Sequence, residues 1–444
     1  MNLEEAIKYL YSLGNEMLAM KLGLDSIGAL AGALGAPQRK FPAVHIAGTN
    51  GKGSTAAMTA SILRRAGLHA GLYTSPHLVS ITERIRVDEE EITPGDFARL
   101  ATEVRAASER LVAENRLQAP PTFFEQVTMI GFLYFAESEI DLAVLEVGLG
   151  GRLDATNICE PVVTAVTPVD FDHQQILGDT LAEIAGEKAG ILKPGVPVVV
   201  APQTYEAMET IRNRAAEIGA PLIAVPQSVD AECAGSEDDL WNAGRFRLRY
   251  RSPRDHYDAL VNLRGRHQVI NALTAIHIAE QLGEEGFPIT RDAVLDGLER
   301  VEWPGRLEMA AVGEPARPLL LDGAHNAAGG RVLRDFLREH CAPRPITLVF
   351  GAMADKAIAG MADVIFPLAE RIIVTKVNNP RAASPQAIAE VAATSGREVI
   401  SIDGVEDALK EALRVTPANG LICACGSLFL VGEIKERLLL TALK

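Results

Sequence analysis

At 444 residues the chain is longer than one ordinary core organises, so two domains are expected. With 48% hydrophobic and 23% charged residues it has the balance of a folded globular protein, which excludes a disordered chain. A formal net charge of −15 argues against nucleic acid or an anionic membrane as the main partner, yet leaves room for small anionic substrates in a local basic pocket.

The opening Met1-Asn2-Leu3-Glu4-Glu5 is acidic and lacks the basic n-region and apolar core of a signal peptide. No apolar run reaches the roughly 18 residues that span a bilayer, so neither membrane nor export is expected. Cys159, Cys233, Cys341, Cys423 and Cys425 form no CxxC pairs, which disfavours a disulfide framework or a structural zinc site. A reducing cytoplasm is the simplest setting.

The first strand-like run, Val44-His45-Ile46-Ala47, leads into Gly48-Thr49-Asn50-Gly51-Lys52-Gly53-Ser54-Thr55 and then a helical pattern from Ser54 to Ala66. Glycines let such a turn aim successive amides at phosphate oxygens, the helix adds its positive end, and Lys52 adds a point charge. Ser54 or Thr55 would reach a magnesium ion. The spacing departs from GxxxxGK[ST]: Ile46 stands where the first glycine falls, and Gly53 separates the lysine from the hydroxyl. A plain glycine turn capped by Ser54 is the bland alternative.

Leu142 to Val147 reads as a buried strand with Glu146 near its carboxyl end, where ligands collect in open α/β sheets. The next strands run from Val162 to Val166 and from Val196 to Ala201. Between them His173 is either a metal ligand or an ordinary capping or core histidine, and Lys188, taken alone, reads as a surface lysine. The polar stretch from Ser228 to Arg254 reads as an excursion of short antiparallel strands, and a helix follows from Asn271 to Leu282. Glu302-Trp303-Pro304-Gly305-Arg306 punctuates the chain, so residues 1–300 and 301–444 are the expected domains. Strand runs resume at Leu319-Leu320-Leu321, Ile346 to Phe350, Ile372-Ile373-Val374 and Leu421-Ile422-Cys423. Such alternation is the pattern of parallel sheets covered by helices. No internal repeat or low-complexity tract interrupts it.

These motifs, together with Tyr73-Thr74-Ser75-Pro76-His77-Leu78, Glu83-Arg84-Ile85-Arg86, Gly148-Leu149-Gly150-Gly151-Arg152-Leu153-Asp154-Ala155-Thr156-Asn157, Glu187-Lys188-Ala189-Gly190, Gly265-Arg266-His267-Gln268 and Asp322-Gly323-Ala324-His325-Asn326, resemble the folylpolyglutamate synthase branch of the Mur-ligase superfamily over nearly the whole chain. The resemblance implies an α/β protein with a P-loop, Mur-ligase-type central domain and a smaller Rossmann-like C-terminal domain. It implies a ligase that uses ATP to add L-glutamate to dihydropteroate or to the terminal glutamate of a reduced folate such as tetrahydrofolate, acting as a monomer. Ser75, Glu146, His173 and Lys188 would hold two Mg2+ ions, Lys188 as a carbamate. The loop Gly48 to Ser54, with Asn271, Arg306 and Asp322, would hold ATP. Thr122, Phe124, Glu125, Arg152 and Asp154 would surround the pterin-bearing substrate, while Lys52, Lys188, His173 and His325 would serve catalysis.

Departures from the family pattern are Asp355-Lys356-Ala357, where Asp-Lys-Asp is usual, and Gly323 and Ala327 beside the Ala-His-Asn motif. Two rival readings are a Mur-type ligase for cell-wall precursors and a P-loop switch that hydrolyses ATP to regulate a partner.

Overall fold

The computed structural model describes residues 1–14, 23–234, 239–354, 356 and 358–442; of the departing triplet, Asp355 and Ala357 lie outside the described residues. The chain forms two compact units, one of residues 1–230, 249–259 and 270–301, the other of residues 231–248, 260–269 and 302–444.

The first unit is built on an eight-stranded sheet of β1 (Ala43–Ala47), β2 (Ala70–Tyr73), β3 (Ile85–Val87), β4 (Glu90–Glu91), β5 (Leu142–Glu146), β6 (Pro161–Val166), β7 (Val198–Val200) and β8 (Leu222–Ala224). Their order is β4-β3-β2-β5-β1-β6-β7-β8. β2, β5, β1, β6, β7 and β8 run parallel, and only β3 and β4 are antiparallel to their neighbours. β1 and β5 are buried along their whole length, which is why they read as continuous apolar runs and not as alternating ones.

Register places the site. Ile46 pairs with Glu146, Tyr73 with Leu145 and Ala47 with Val166, so the carboxyl ends of β1, β2, β5 and β6 share one edge. Chain order reverses around β1, which sits between β5 and β6. In open α/β sheets the crevice at such a switch point is where ligands bind.

Residues 230–261 contribute a separate three-stranded sheet, β9 (Asp230–Ala234), β10 (Arg245–Arg251) and β11 (His256–Val261), in the order β11-β10-β9. The second unit carries a six-stranded sheet of β12 (Glu308–Val312), β13 (Arg317–Leu321), β14 (Ile346–Phe350), β15 (Arg371–Thr375), β16 (Glu398–Ile402) and β17 (Leu421–Cys425). Its order is β12-β13-β17-β14-β15-β16, parallel throughout except for β12. Among the described residues no helix is long and apolar enough to cross a membrane.

Candidate active site

β1 runs straight into the glycine loop, and the helix Lys52–Arg65 follows with Gly51 as its N-cap in the left-handed region, φ 88°. No side chain caps this helix, so its leading amides present the kind of N-terminus that an anion satisfies. A side chain at Gly51 would collide with Asn271, whose Oδ1 lies 2.4 Å from where a Cβ would stand. The loop is tied down from behind. The amides of Thr49 and Asn50 both donate to the Pro168 carbonyl, at 3.0 and 3.3 Å, and Thr49 Oγ1 donates to the Asp170 carbonyl at 2.9 Å. These two amides are therefore spent on the β6 loop, and the amides at the helix N-terminus begin after them. Thr55 Oγ1 is buried with no hydrogen-bond partner, and Ser54 is buried beside it.

Two lysines meet at the loop. Lys52 Nζ donates to the Gly48 and Thr49 carbonyls at 3.1 and 3.3 Å, and Lys188 Nζ donates to the same Gly48 carbonyl at 2.8 Å. Lys188 is not the surface residue that its local sequence suggests: it is only 3% exposed. Burial is the main reason its ammonium is weakened, and Lys52 adds to it, so its pKa falls to about 7 against the opposing pull of Asp172 and Asp154.

Ser75 and Glu146 are brought together, the Ser75 amide donating to Glu146 Oε2 at 3.1 Å. His173 caps the four-residue helix Gln174–Leu177 with φ 50°, its ring 3.7 Å from Asp172 Oδ1. Among the described residues no three His, Cys, Asp or Glu side chains gather as a metal cluster. Magnesium needs no such cluster: it is a hard cation that takes one or two carboxylates and completes its shell with phosphate oxygens and water. A buried carboxylate and a serine beside a phosphate loop are such a donor set.

Next to the loop lies a cleft of about 690 Å³, counting its open mouth, lined by Thr122, Phe124, Glu125, Arg152 and Asp154 with Leu149, Leu153, Ile176, Leu177 and Glu187. Its mixed polar and apolar lining suits a small-molecule site. The helix Phe123–Glu137 starts with a capping box: the Glu125 amide donates to Thr122 Oγ1 at 3.3 Å, and the Thr122 amide donates to Glu125 Oε2 at 2.7 Å. Capping occupies one carboxylate oxygen only. Glu125 Oε1 is buried without a partner, which is costly unless a ligand donates to it. The Phe124 ring lies against Gly148, where a Cβ would come within 2.4 Å of it. Asp154 accepts hydrogen bonds from the Leu149 and Thr156 amides and the Thr156 hydroxyl, while burial pushes its pKa up. Arg152 pairs with Glu187 at 2.8 Å on the rim, 56% exposed, an ion pair of little energetic weight.

In the second unit Asp322 accepts from the Leu307 and Ala324 amides, both at 2.9 Å. Burial raises its pKa, and Arg306 opposes the rise. His325 Nδ1 donates to the Gly323 carbonyl at 2.9 Å, since a carbonyl oxygen can only accept. At Gly323 a Cβ would stand 2.3 Å from Arg306 Nη1 and 2.4 Å from Leu428. Asn326 caps the helix Ala327–His340.

Sequence reasoning assigned no role to Thr167, Gln203 or His45. Gln203 accepts from the Val169 amide and donates to the Thr167 carbonyl, bracing the loop after β6. No local signal marks such a residue.

The Mur ligase middle domain matches residues 46–279, and the Mur ligase glutamate ligase domain matches residues 305–428. The dihydrofolate synthase/folylpolyglutamate synthase of Bacillus subtilis (strain 168) is 35% identical over 96% of this chain and 97% of its own length. The chain belongs to the folylpolyglutamate synthase family of Mur ligases. Folylpolyglutamate synthases also share its fold. The Mycobacterium tuberculosis enzyme complexed with ADP superposes with a TM-score of 0.89 at 29% identity, covering 98% of each chain. E. coli FolC in complex with DHPP and ADP gives 0.84 at 28% identity, over 100% of this chain and 99% of that one.

Proposed function

We propose that this chain is an ATP-dependent carboxylate–amine ligase that adds L-glutamate to dihydropteroate and to the terminal glutamate of reduced folates. One observation carries the reading. Glu187 lines the acceptor cleft while its neighbour Lys188 donates to Gly48 of the phosphate loop. A single helical turn therefore has the phosphate seat on one side and the acceptor pocket on the other.

A carboxylate is a poor electrophile, so it must be activated before an amine can attack. Its oxygen takes the γ-phosphoryl group of ATP, releasing ADP and leaving an acyl phosphate. The glutamate amine adds to the carbonyl carbon, and collapse expels phosphate and forms the amide. Catalysis here is largely positioning and electrostatics. Lys52, fixed by two carbonyls of its own loop, offsets charge at the phosphates. Magnesium held by Glu146, Ser75 and His173 would stabilise charge on the transferring oxygens as a Lewis acid.

Lys188 is assigned a carbamate. The neutral amine adds to carbon dioxide and loses a proton, and a pKa of about 7 leaves a large neutral fraction at physiological pH. The resulting anion replaces an ammonium that would repel a second Mg2+. Thr122, Phe124, Glu125, Arg152 and Asp154 take the pterin end of the acceptor. The orphan oxygen of Glu125 accepts from ring N–H groups. Asn271, Arg306 and Asp322 are assigned to ATP and His325 to the glutamate-joining step, with residues 1–300 as the ATP-binding part and 301–444 as the glutamate-ligase part. The working form is a monomer in the cytoplasm.

The decisive experiment measures ADP release with ATP and L-glutamate plus either dihydropteroate or tetrahydrofolate. The reading expects release only when both acceptor and glutamate are present. Equal release from ATP alone would instead mark a regulatory ATPase.

A further inference from the structure

Behind the acceptor cleft stands a buried chain of polar groups that the reaction does not use directly. His45 lies mid-way along β1, opposite Leu145 of β5 and Thr164 of β6, and is fully buried. Its Nε2 is 2.8 Å from Thr156 Oγ1, which is 2.5 Å from Asp154 Oδ1. Asp154 in turn lines the cleft.

We propose that His45 is a positioning residue for the acceptor pocket, holding the Asp154 carboxylate in place through the Thr156 hydroxyl. The claim rests on the reading of that cleft as the acceptor site. Proton counting sets the direction. Thr156 has one hydroxyl proton, and the carboxylate can only accept, so that proton points at Asp154. The Thr156 oxygen then accepts, and His45 must donate from Nε2. Its Nδ1 carries the lone pair and is buried without a partner. Burial, reinforced by the charge of Lys193, lowers the ring pKa to about 3, so the imidazole stays neutral and acts as a fixed donor, not as an acid or base.

A leucine or valine would fill this strand position without orphaning a nitrogen, so the histidine is there for its N–H. The Thr156 amide and hydroxyl both bind Asp154 Oδ1, the Leu149 amide binds Oδ2, and the histidine stops the hydroxyl from turning away.

The test uses the full-length enzyme with whichever of dihydropteroate or tetrahydrofolate it turns over. His45→Leu and Thr156→Val should each raise the KM for that acceptor by about tenfold, the upper end for one neutral hydrogen bond and the lower end for one to a carboxylate. ADP affinity should be unchanged. The double variant should be no worse than either single one, because both cut the same chain. His45→Gln, whose amide can donate in place of Nε2, should recover the wild-type KM. An unchanged KM in both single variants, an additive double variant, or ADP affinity falling in step with KM would overturn the proposal; the last would mark a defect of β1 passed to the phosphate loop. Asp154→Ala is measured alongside. If it raises KM while His45→Leu does not, only the relay fails; if it leaves KM unchanged, the reading of the cleft fails with it.

Discussion

Gly190→Ala should damage ligation although the methyl group lies outside the acceptor cleft. An added Cβ would stand 2.2 Å from Arg152 Cβ and 2.5 Å from its Cα. Carbon atoms in comfortable contact are about 3.5–4.0 Å apart, so the loop or the helix end must give by about 1 Å. Neither is free to move. The Arg152 amide donates to the Glu187 carbonyl at 2.9 Å, and Asn157 Nδ2 donates to the Arg152 and Gly190 carbonyls at 2.9 and 3.1 Å. Overpacking of this kind costs about 1–3 kcal/mol. The same shift separates Asp154 from the turn that carries Lys188, and a misplacement of about 1 Å costs on the order of 10²-fold in rate. Gly186→Ala in the same helix is the control. It is exposed, its nearest neighbour is Thr210 Cγ2 at 3.9 Å, and alanine there should stabilise by about 0.5–1 kcal/mol. Initial rates of ADP release and thermal melting of both variants decide the matter. Wild-type turnover and melting in Gly190→Ala, or equal damage in Gly186→Ala, would refute the reasoning.

Gly51→Ala combines a left-handed backbone with a clash against Asn271, so ADP should bind at least about tenfold more weakly by calorimetry. Unaltered affinity would remove the loop as the nucleotide seat. Lys188→Ala should abolish ligation with the circular dichroism spectrum intact, and partial rescue by short carboxylic acids would support the carbamate; full activity in the unsupplemented variant would end it. His45 makes stability depend on pH. Its folded pKa of about 3 lies below the ordinary 6.5, so the unfolded chain takes up a proton that the folded chain refuses. Its contribution is intact above pH 6.5 and is lost as pH falls towards 3, at a slope of about 1.4 kcal/mol per pH unit. Urea titrations at pH 7, 6 and 5 should show a flatter dependence in His45→Gln, and identical slopes would contradict the assignment.

Much of the frame is legible locally. The buried runs at β1, β5, β6, β7, β13, β14, β15 and β17 stand out because strands covered on both faces are continuously apolar. β2 does not, because Gly71 interrupts it; a Cβ there would meet Ile140 at 2.7 Å. β16 fails for another reason: none of its residues is fully buried, so its pattern is weak. β4 is two exposed glutamates, and its pairing to β3 is invisible in composition. The excursion from Ser228 to Arg254 does contain strands, β9 and the whole of β10, while β11 follows just beyond it.

The glycine loop, with its lysine and following helix, is a local object, and spacing along the chain suffices to find it. The same is true of the capping box at Thr122 and Glu125, whose partners are three residues apart. What spacing cannot reveal is whether a lysine is buried, which oxygen of a carboxylate is left without a partner, or which amides are already spent. Lys188 meets Gly48 across 140 positions, and His45 meets Thr156 across 111. Such distances along the chain are closed only by sheet register and helix packing. Local chemistry thus named the glycine loop and Lys52, and the family resemblance named Lys188, His173 and His325, while burial and partners, as for Lys188, were decided only by the tertiary fold.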